Sequence, residues 1–203
     1  MNKEDDLSSP SHSPQNASPS FKLGFEDDAL LRRDELRPVR LQLEVLKPDL
    51  ILEEHQVRST IVVFGSARVP DPDAAEAALK AAKKQLADAP DDKTCAKALK
   101  RAERIRDHCR YYAEAREFAR IVSEEAQSNS HLDYVIATGG GPGIMAAANR
   151  GAADAEAGSV GLNIALPHEQ NPNAYISPEL CFQFHYFALR KMHFLMRAKA
   201  LVI

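Results

Sequence analysis

The chain has 203 residues, of which 44% are hydrophobic and 27% are charged, and its formal net charge is −3. This length is enough for one domain with a buried core, and the slightly acidic balance argues against nucleic acid or a membrane as partner. Three widely spaced cysteines without metal-ligand spacing, no apolar leader and no membrane-spanning run predict a cytoplasmic protein with reduced thiols and no metal site.

The first 58 residues differ in composition from the rest. Residues 1–20 are rich in serine and proline and have almost nothing to bury, so we expect a disordered tail. Residues 21–58 mix charges with spaced leucines, and the spacing predicts a helix over 34–46. We interpret 21–58 as an N-terminal arm packed on a domain that spans 59–203.

The core begins with the apolar run after Thr60, which ends at Gly65 and predicts a central parallel strand buried on both faces. Helices are expected over 73–89 and 93–128. The second carries many basic residues: Lys97, Lys100, Arg101, Arg104, Arg106 and Arg110. Because acidic residues are interspersed, a solvated helix face is favoured over a nucleic-acid surface.

Residues 133–151 predict a buried strand, a glycine turn and a helix in direct succession. The turn contains Gly139, Gly140, Gly141 and Gly143, and Pro142 stands where the helix begins. Glycines permit φ > 0 and close approach of a ligand, and the free amides of a helix N-terminus attract a phosphate. The alternative is a tight structural turn, because the spacing lacks the third glycine of the dinucleotide fingerprint.

After this helix, with Gly158 as its expected stop, strands are predicted over 160–166 and 180–186, then a helix over 187–197 and a final strand from Ala198. Alternating strands and helices predict a Rossmann-like, doubly wound α/β sheet with its ligand at the carboxyl ends of the strands. Because the chain stops within an apolar strand, we expect it to be truncated.

Two further groups of side chains are candidates for ligand contact. Gly65, Ser66 and Arg68 follow the first strand, where a hydroxyl and a guanidinium can reach a bound anion. Arg190 and Lys191 form a basic pair near the start of the helix predicted over 187–197, although such pairs usually face solvent. His185 and His193, like His168 and Glu169, lack metal-site spacing and are expected to be structural.

Three motifs follow one another along the chain: Gly65-Ser-Ala-Arg68, Thr138-Gly-Gly-Gly-Pro-Gly-Ile-Met-Ala-Ala-Ala-Asn-Arg-Gly151 and Arg190-Lys191. Over 59–203 the chain resembles the LOG-like family of Rossmann-fold cytokinin riboside 5′-monophosphate phosphoribohydrolases, often labelled lysine decarboxylases. The resemblance implies a hydrolase, an N-glycosidase that splits AMP or a cytokinin riboside monophosphate into free base and ribose 5-phosphate. It also implies a homodimer and no cofactor.

The resemblance assigns roles by position. Gly140, Gly141 and Gly143 would line the phosphate or ribose, Ser66 would lie beside them, and Arg190 would be the active-site arginine. The predicted substrate-binding set is Gly65, Ser66, Arg68, Thr138, Gly139, Gly140, Gly141, Gly143 and Lys191. The family's Pro-Gly-Gly-x-Gly-Thr motif and its catalytic glutamate would follow the last strand, so this chain is expected to lack that glutamate, for which Glu179 is a weak substitute.

A second hypothesis is a non-catalytic module that binds a nucleotide or a molybdopterin-type cofactor on the same fold. A missing catalytic motif favours it, whereas the even charge distribution disfavours a version that binds single-stranded DNA. The helical stretch over 80–106 also exceeds that of compact family members. No pyridoxal-phosphate lysine is recognised, which argues against decarboxylation.

Overall fold

The computed structural model describes residues 13–127, 132–166 and 171–203. Residues 1–43 and residues 44–203 form two separate compact units.

The first unit contains short helical segments. Of the predicted disordered tail, residues 1–12 lie outside the described residues, and a 3₁₀ helix forms at Pro19–Phe21. Helix α1 (Asp28–Leu31) and a second 3₁₀ helix (Asp34–Leu36) lead into α2 (Arg37–Glu54). The helix predicted over 34–46 therefore starts three residues later and runs eight residues further.

The last part of α2 belongs to the second unit. Pro48 and Leu52 are buried, and Leu52 packs in a core cluster with Val57 and Val62. Burial of this apolar face extends the helix beyond its predicted end, through a proline that local propensity disfavours inside a helix. Residues 44–58, assigned to the arm from the sequence, thus lie in the unit that holds the sheet.

Within the described part of the second unit, the strands pair in one all-parallel sheet. They are β1 (Thr60–Val63), β2 (Val135–Thr138), β3 (Ser159–Ile164), β4 (Cys181–Phe184) and β5 (Ala198–Val202). Their order across the sheet is β4-β3-β2-β1-β5. The chain lays down β1 to β4 in one direction and then returns to the far side of β1, so the topological switch point lies between β1 and β5.

Helices cover both faces of the sheet. The helices after β1 are α3 (Pro72–Asp88), α4 (Lys93–Ala126), α5 (Ile144–Asp154) and α6 (Phe187–Met196). Val63 and Ile136 pack with residues of α4 and α5, whereas Val62 and Ala137 pack in the cluster that includes Phe194 of α6. Because successive strand residues point to opposite faces, both faces are apolar, and the predicted Rossmann-like, doubly wound fold is confirmed.

Helix α4 agrees with the helix predicted over 93–128, whereas the end of α5 differs from expectation. Helix α4 is one continuous element of 34 residues, and its first half packs against α3 through Leu79, Ala82 and Ala102. The end of α5 is set by Glu156, which has a φ of 53°, and not by Gly158 as predicted. Glu156 occupies the left-handed position of a Schellman motif, in which the amide of Ala157 donates to the carbonyl of Ala152 over 3.0 Å.

Among the described residues, none of the helices has the length and apolarity that a membrane crossing requires.

Candidate functional site

The turn between β2 and α5 requires glycine at two positions. Gly140 and Gly143 have φ of 76° and 74°, a region that other residues rarely adopt. A Cβ on Gly140 would run into the Asn163 amide, and one on Gly143 would run into the Ser66 carbonyl oxygen. The turn can therefore pass close to its neighbours and present bare backbone.

Backbone donors remain free where α5 begins. The amide of Ile144 donates to the Ser66 carbonyl over 3.1 Å, which joins the two turns at this edge of the sheet. The amides of Gly141, Met145 and Ala146 donate to no other described residue. Together with the positive end of the helix dipole, these groups can bind an anion.

A buried network supports the turn from below. The Thr138 hydroxyl donates to Asn149 Oδ1 over 2.7 Å and accepts from the Gly140 amide over 3.0 Å. Asn149 Nδ2 donates in turn to Ser159 Oγ over 3.0 Å, and these three side chains are all fully buried. Thr138, predicted to bind substrate, is thus placed beneath the turn and shapes it from inside.

Asn173 clamps the same turn from a loop. Its amide nitrogen Nδ2 lies 3.2 Å from the carbonyl oxygens of Gly140 and Gly141 and 3.0 Å from Asn149 Oδ1. Its backbone amide also donates to Gly140 over 2.9 Å. Sequence reasoning missed Asn173, because no local pattern marks a loop residue that acts across 33 positions, and it noticed Asn149 only as part of a family motif.

The rest of the Asn-Arg-Gly motif is also structural. Arg150 pairs with Asp71, and its guanidinium lies 5.5 Å from the centre of the Tyr175 ring. Gly151 lets α5 approach α4 closely, since a Cβ there would meet the carbonyl of Arg116. The specificity of this motif therefore reflects how α5 is held below the turn.

Arg190, which the resemblance predicts to be an active-site residue, donates to the glycine turn. Its Nε donates to the Leu162 carbonyl over 2.6 Å and its Nη2 to the Gly139 carbonyl over 3.2 Å. Burial lowers the pKa of its guanidinium, which still remains charged. The neighbouring Lys191 is exposed and makes no hydrogen bond with a described residue, because adjacent helical positions point about 100° apart.

A cavity of about 440 Å³ lies at the topological switch point. Its lining is mostly apolar and comes from the ends of two strands, the turn after β1 and two helices: Val63, Phe64, Gly65, Ser66, Val69, Tyr111, Glu114, Ala115, Phe118, Ile144, Val202 and Ile203. Such a pocket suits a flat ring with a few polar contacts. Gly65 and Ser66 thus line the cavity, whereas Gly139, Gly140, Gly141 and Gly143 are not among its lining residues.

Among the acidic residues, Glu114 of α4 lines this cavity. Sequence reasoning missed it, because one glutamate within a charged helix has no distinguishing pattern. Glu179, named as a weak substitute for the family glutamate, lies in the 3₁₀ helix Pro178–Leu180 just before β4. It is therefore at the amino edge of the sheet, away from the ligand edge, and the structure excludes it as a substitute.

A second cavity, of about 480 Å³, shares Ser66 and Val69 with the first. Arg68 lines it together with Arg101, Arg104 and His108 of α4. Arg68, predicted to contact an anion, therefore lies in one cavity with Arg101 and Arg104 of α4. The sequence assigns these two arginines to a solvated helix face. Ser66 lines both cavities, and its hydroxyl accepts from the Arg68 amide over 3.1 Å.

The histidines occupy different environments. His193 is 7% exposed and packs against Phe184 with ring centres 5.2 Å apart, and burial lowers its pKa. This position agrees with the predicted structural role. His185 is exposed, and its backbone amide donates to a carboxylate oxygen of Glu44 over 3.0 Å. His168 and Glu169 lie outside the described residues.

No protein-family model matches this chain, and no curated protein matches it significantly. The resemblance to the LOG-like family accordingly depends on the three motifs. The geometry of the two turns and two cavities is independent of that resemblance.

Proposed function

We propose that the protein is a nucleoside 5′-monophosphate N-glycosidase of the LOG-like type, which releases the free base from AMP or a cytokinin riboside monophosphate. The observation that carries the proposal is the apolar cavity at the switch point, next to the free amides where α5 begins. The cavity offers a place for the base and ribose, and the helix N-terminus offers a place for the 5′-phosphate.

The chemistry requires a carboxylate and a cation near the ribose. Cleavage of a ribosyl bond passes through an oxocarbenium-like sugar. A carboxylate either stabilises this cation or activates the water that attacks it. Arg190 would orient the substrate or that carboxylate. The glutamate is expected after the family's Pro-Gly-Gly-x-Gly-Thr motif, and Glu114 is the carboxylate that the cavity itself offers.

The first test determines the coding sequence beyond codon 203 and assays the full gene product with AMP. Chromatography should show adenine and ribose 5-phosphate in equal amounts, and light scattering should show a homodimer. Loss of activity in Glu114→Gln would assign the carboxylate to α4, whereas an unaffected rate would show that another carboxylate serves. Absence of base release from every purine and pyrimidine monophosphate would refute the proposal.

Arg190→Lys tests the predicted active-site arginine. We expect kcat to fall by about 100-fold or more, because lysine cannot replace a planar guanidinium with several fixed donors. Arg197→Lys is the matched control: Arg197 also donates to backbone carbonyls, of Val57 and Asp49, but at the amino edge of the sheet. Equal effects of the two substitutions on kcat would remove Arg190 from the mechanism.

One observation favours the second candidate, a binding module without catalysis. Two donor groups of Arg190 already donate to the carbonyls of Leu162 and Gly139. The side chain therefore holds the backbone in place, which is a structural role. Calorimetry with AMP, followed by product analysis of the same sample, separates the two candidates. Tight binding of AMP without base release supports the module, and base release supports the enzyme.

A further inference from the structure

The basic cavity is built from two parts of the chain that are distant in sequence. Arg101, Arg104 and His108 are spaced at i, i+3 and i+7 on one face of α4, and Arg68 faces them from the turn after β1. The remaining lining residues are Ser66, Val69 and Ile105. Three guanidinium groups and an imidazole therefore surround about 480 Å³, and no carboxylate is among the lining residues.

Three of the other arginines of α4 are engaged in ion pairs, whereas Arg110, which also lies outside the cavity, donates to the Tyr111 hydroxyl. Arg106 pairs with Asp107, Arg116 with Asp154, and Arg120 with both Glu117 and Glu124. By contrast, Arg68, Arg101 and Arg104 form no ion pair with any residue in the described ranges 13–127, 132–166 and 171–203. The helix thus leaves unpaired the cations that face the cavity, although acidic residues are frequent along it.

We propose that this cavity is a second anion site, which binds the phosphate groups of an oligophosphate such as tripolyphosphate or a nucleoside triphosphate. Guanidinium groups bind phosphate oxygens with two parallel hydrogen bonds, and clustered arginines recognise several phosphates at once. The Ser66 hydroxyl adds a donor at the boundary with the apolar cavity. The site adjoins the cavity proposed for AMP, with which it shares Ser66, and its residues Arg101 and Arg104 have no part in the release of the base.

A small anion suits the cavity better than a nucleic acid does. The cations of α4 that line the cavity extend over only two helical turns, from Arg101 to His108, and Arg68 faces them across a concave space. Tracking of a nucleic-acid backbone requires an extended positive surface.

Calorimetry with inorganic tripolyphosphate on the full gene product tests the site. We expect saturable binding at low ionic strength, and a loss of affinity of about tenfold or more in the double variant Arg101→Gln/Arg104→Gln. The matched control is Arg106→Gln/Arg110→Gln, which removes the same charge from the same helix outside the cavity. Circular dichroism should show an intact fold for both double variants, because all four side chains are exposed.

A second set of titrations identifies the source of the phosphates. If the cavity variant weakens binding of ATP but not of AMP, and tripolyphosphate competes with ATP, the cavity holds the distal phosphates of a nucleotide. If tripolyphosphate binds without competing with either nucleotide, the site takes a separate oligophosphate. Both results support the site.

Two results would overturn the proposal: no saturable binding of tripolyphosphate or ATP, or equal weakening by the cavity variant and its control. Equal weakening would show that only the general charge of α4 matters. Release of adenine from AMP by Arg101→Gln/Arg104→Gln is expected at the wild-type rate. Failure of this site is therefore distinguishable from failure of the glycosidase proposal.

Discussion

The two turns at the carboxyl edge of the sheet are built in opposite ways. Around the turn after β2, the side chains of Asn149, Asn173 and Arg190 are buried or half-buried. Asn149 donates to the Ser159 hydroxyl, Asn173 donates to Asn149, and Arg190 donates to the backbone of the turn. In the turn after β1, Ser66 and Arg68 are exposed and line cavities. The turn after β2 therefore offers rigid backbone to a ligand, and the turn after β1 offers side chains.

Gly140→Ala should break the rigid turn most severely. The substitution forces a non-glycine residue to a φ of 76° and places a Cβ against Asn163, so we expect a loss of about 2–4 kcal/mol in the free energy of unfolding. Urea denaturation measures the loss. Gly158→Ala is the control, because its Cβ would meet nothing closer than 3.6 Å. Similar losses at both glycines would contradict the strain argument.

Asn149→Ala should loosen the same turn by a smaller amount. It leaves the hydroxyls of Thr138 and Ser159 without their buried partner, which costs about 2–3 kcal/mol in unfolding free energy. A double-mutant cycle with Thr138→Val measures the coupling, which we expect to exceed 0.5 kcal/mol in the usual range of about 0.5–3 kcal/mol for contacting residues. Additive effects would show that the network does not act as a unit.

The open turn should behave differently. Ser66→Ala and Arg68→Gln are expected to change the unfolding free energy by no more than about 0.5 kcal/mol, because both side chains are exposed. Each should nevertheless weaken binding of a phosphate ligand, which calorimetry with ATP measures. A large loss of stability with unchanged affinity would reverse the comparison between the two turns.

Much of the fold is predictable because its signals are local. Apolar runs after Thr60 and Asp133 predict buried parallel strands, and Gly139–Gly143 predicts the strand-to-helix turn whatever the rest of the chain does. The alternation of Phe182 and Phe184 with polar neighbours likewise predicts β4. The ends of the elements are less predictable. Helix α2, for example, continues through Pro48 because burial of Leu52 in the core stabilises its last turns.

By itself, therefore, the sequence determined the Rossmann-like class and the position of the glycine turn, because backbone conformation and apolar periodicity depend on residues close along the chain. Only the tertiary structure decided that Asn173 clamps the turn, that Glu114 lines one cavity and that Arg101 and Arg104 join Arg68 in another. Those arrangements depend on strand order and on the path of α4, which bring together side chains that are 30 or more positions apart.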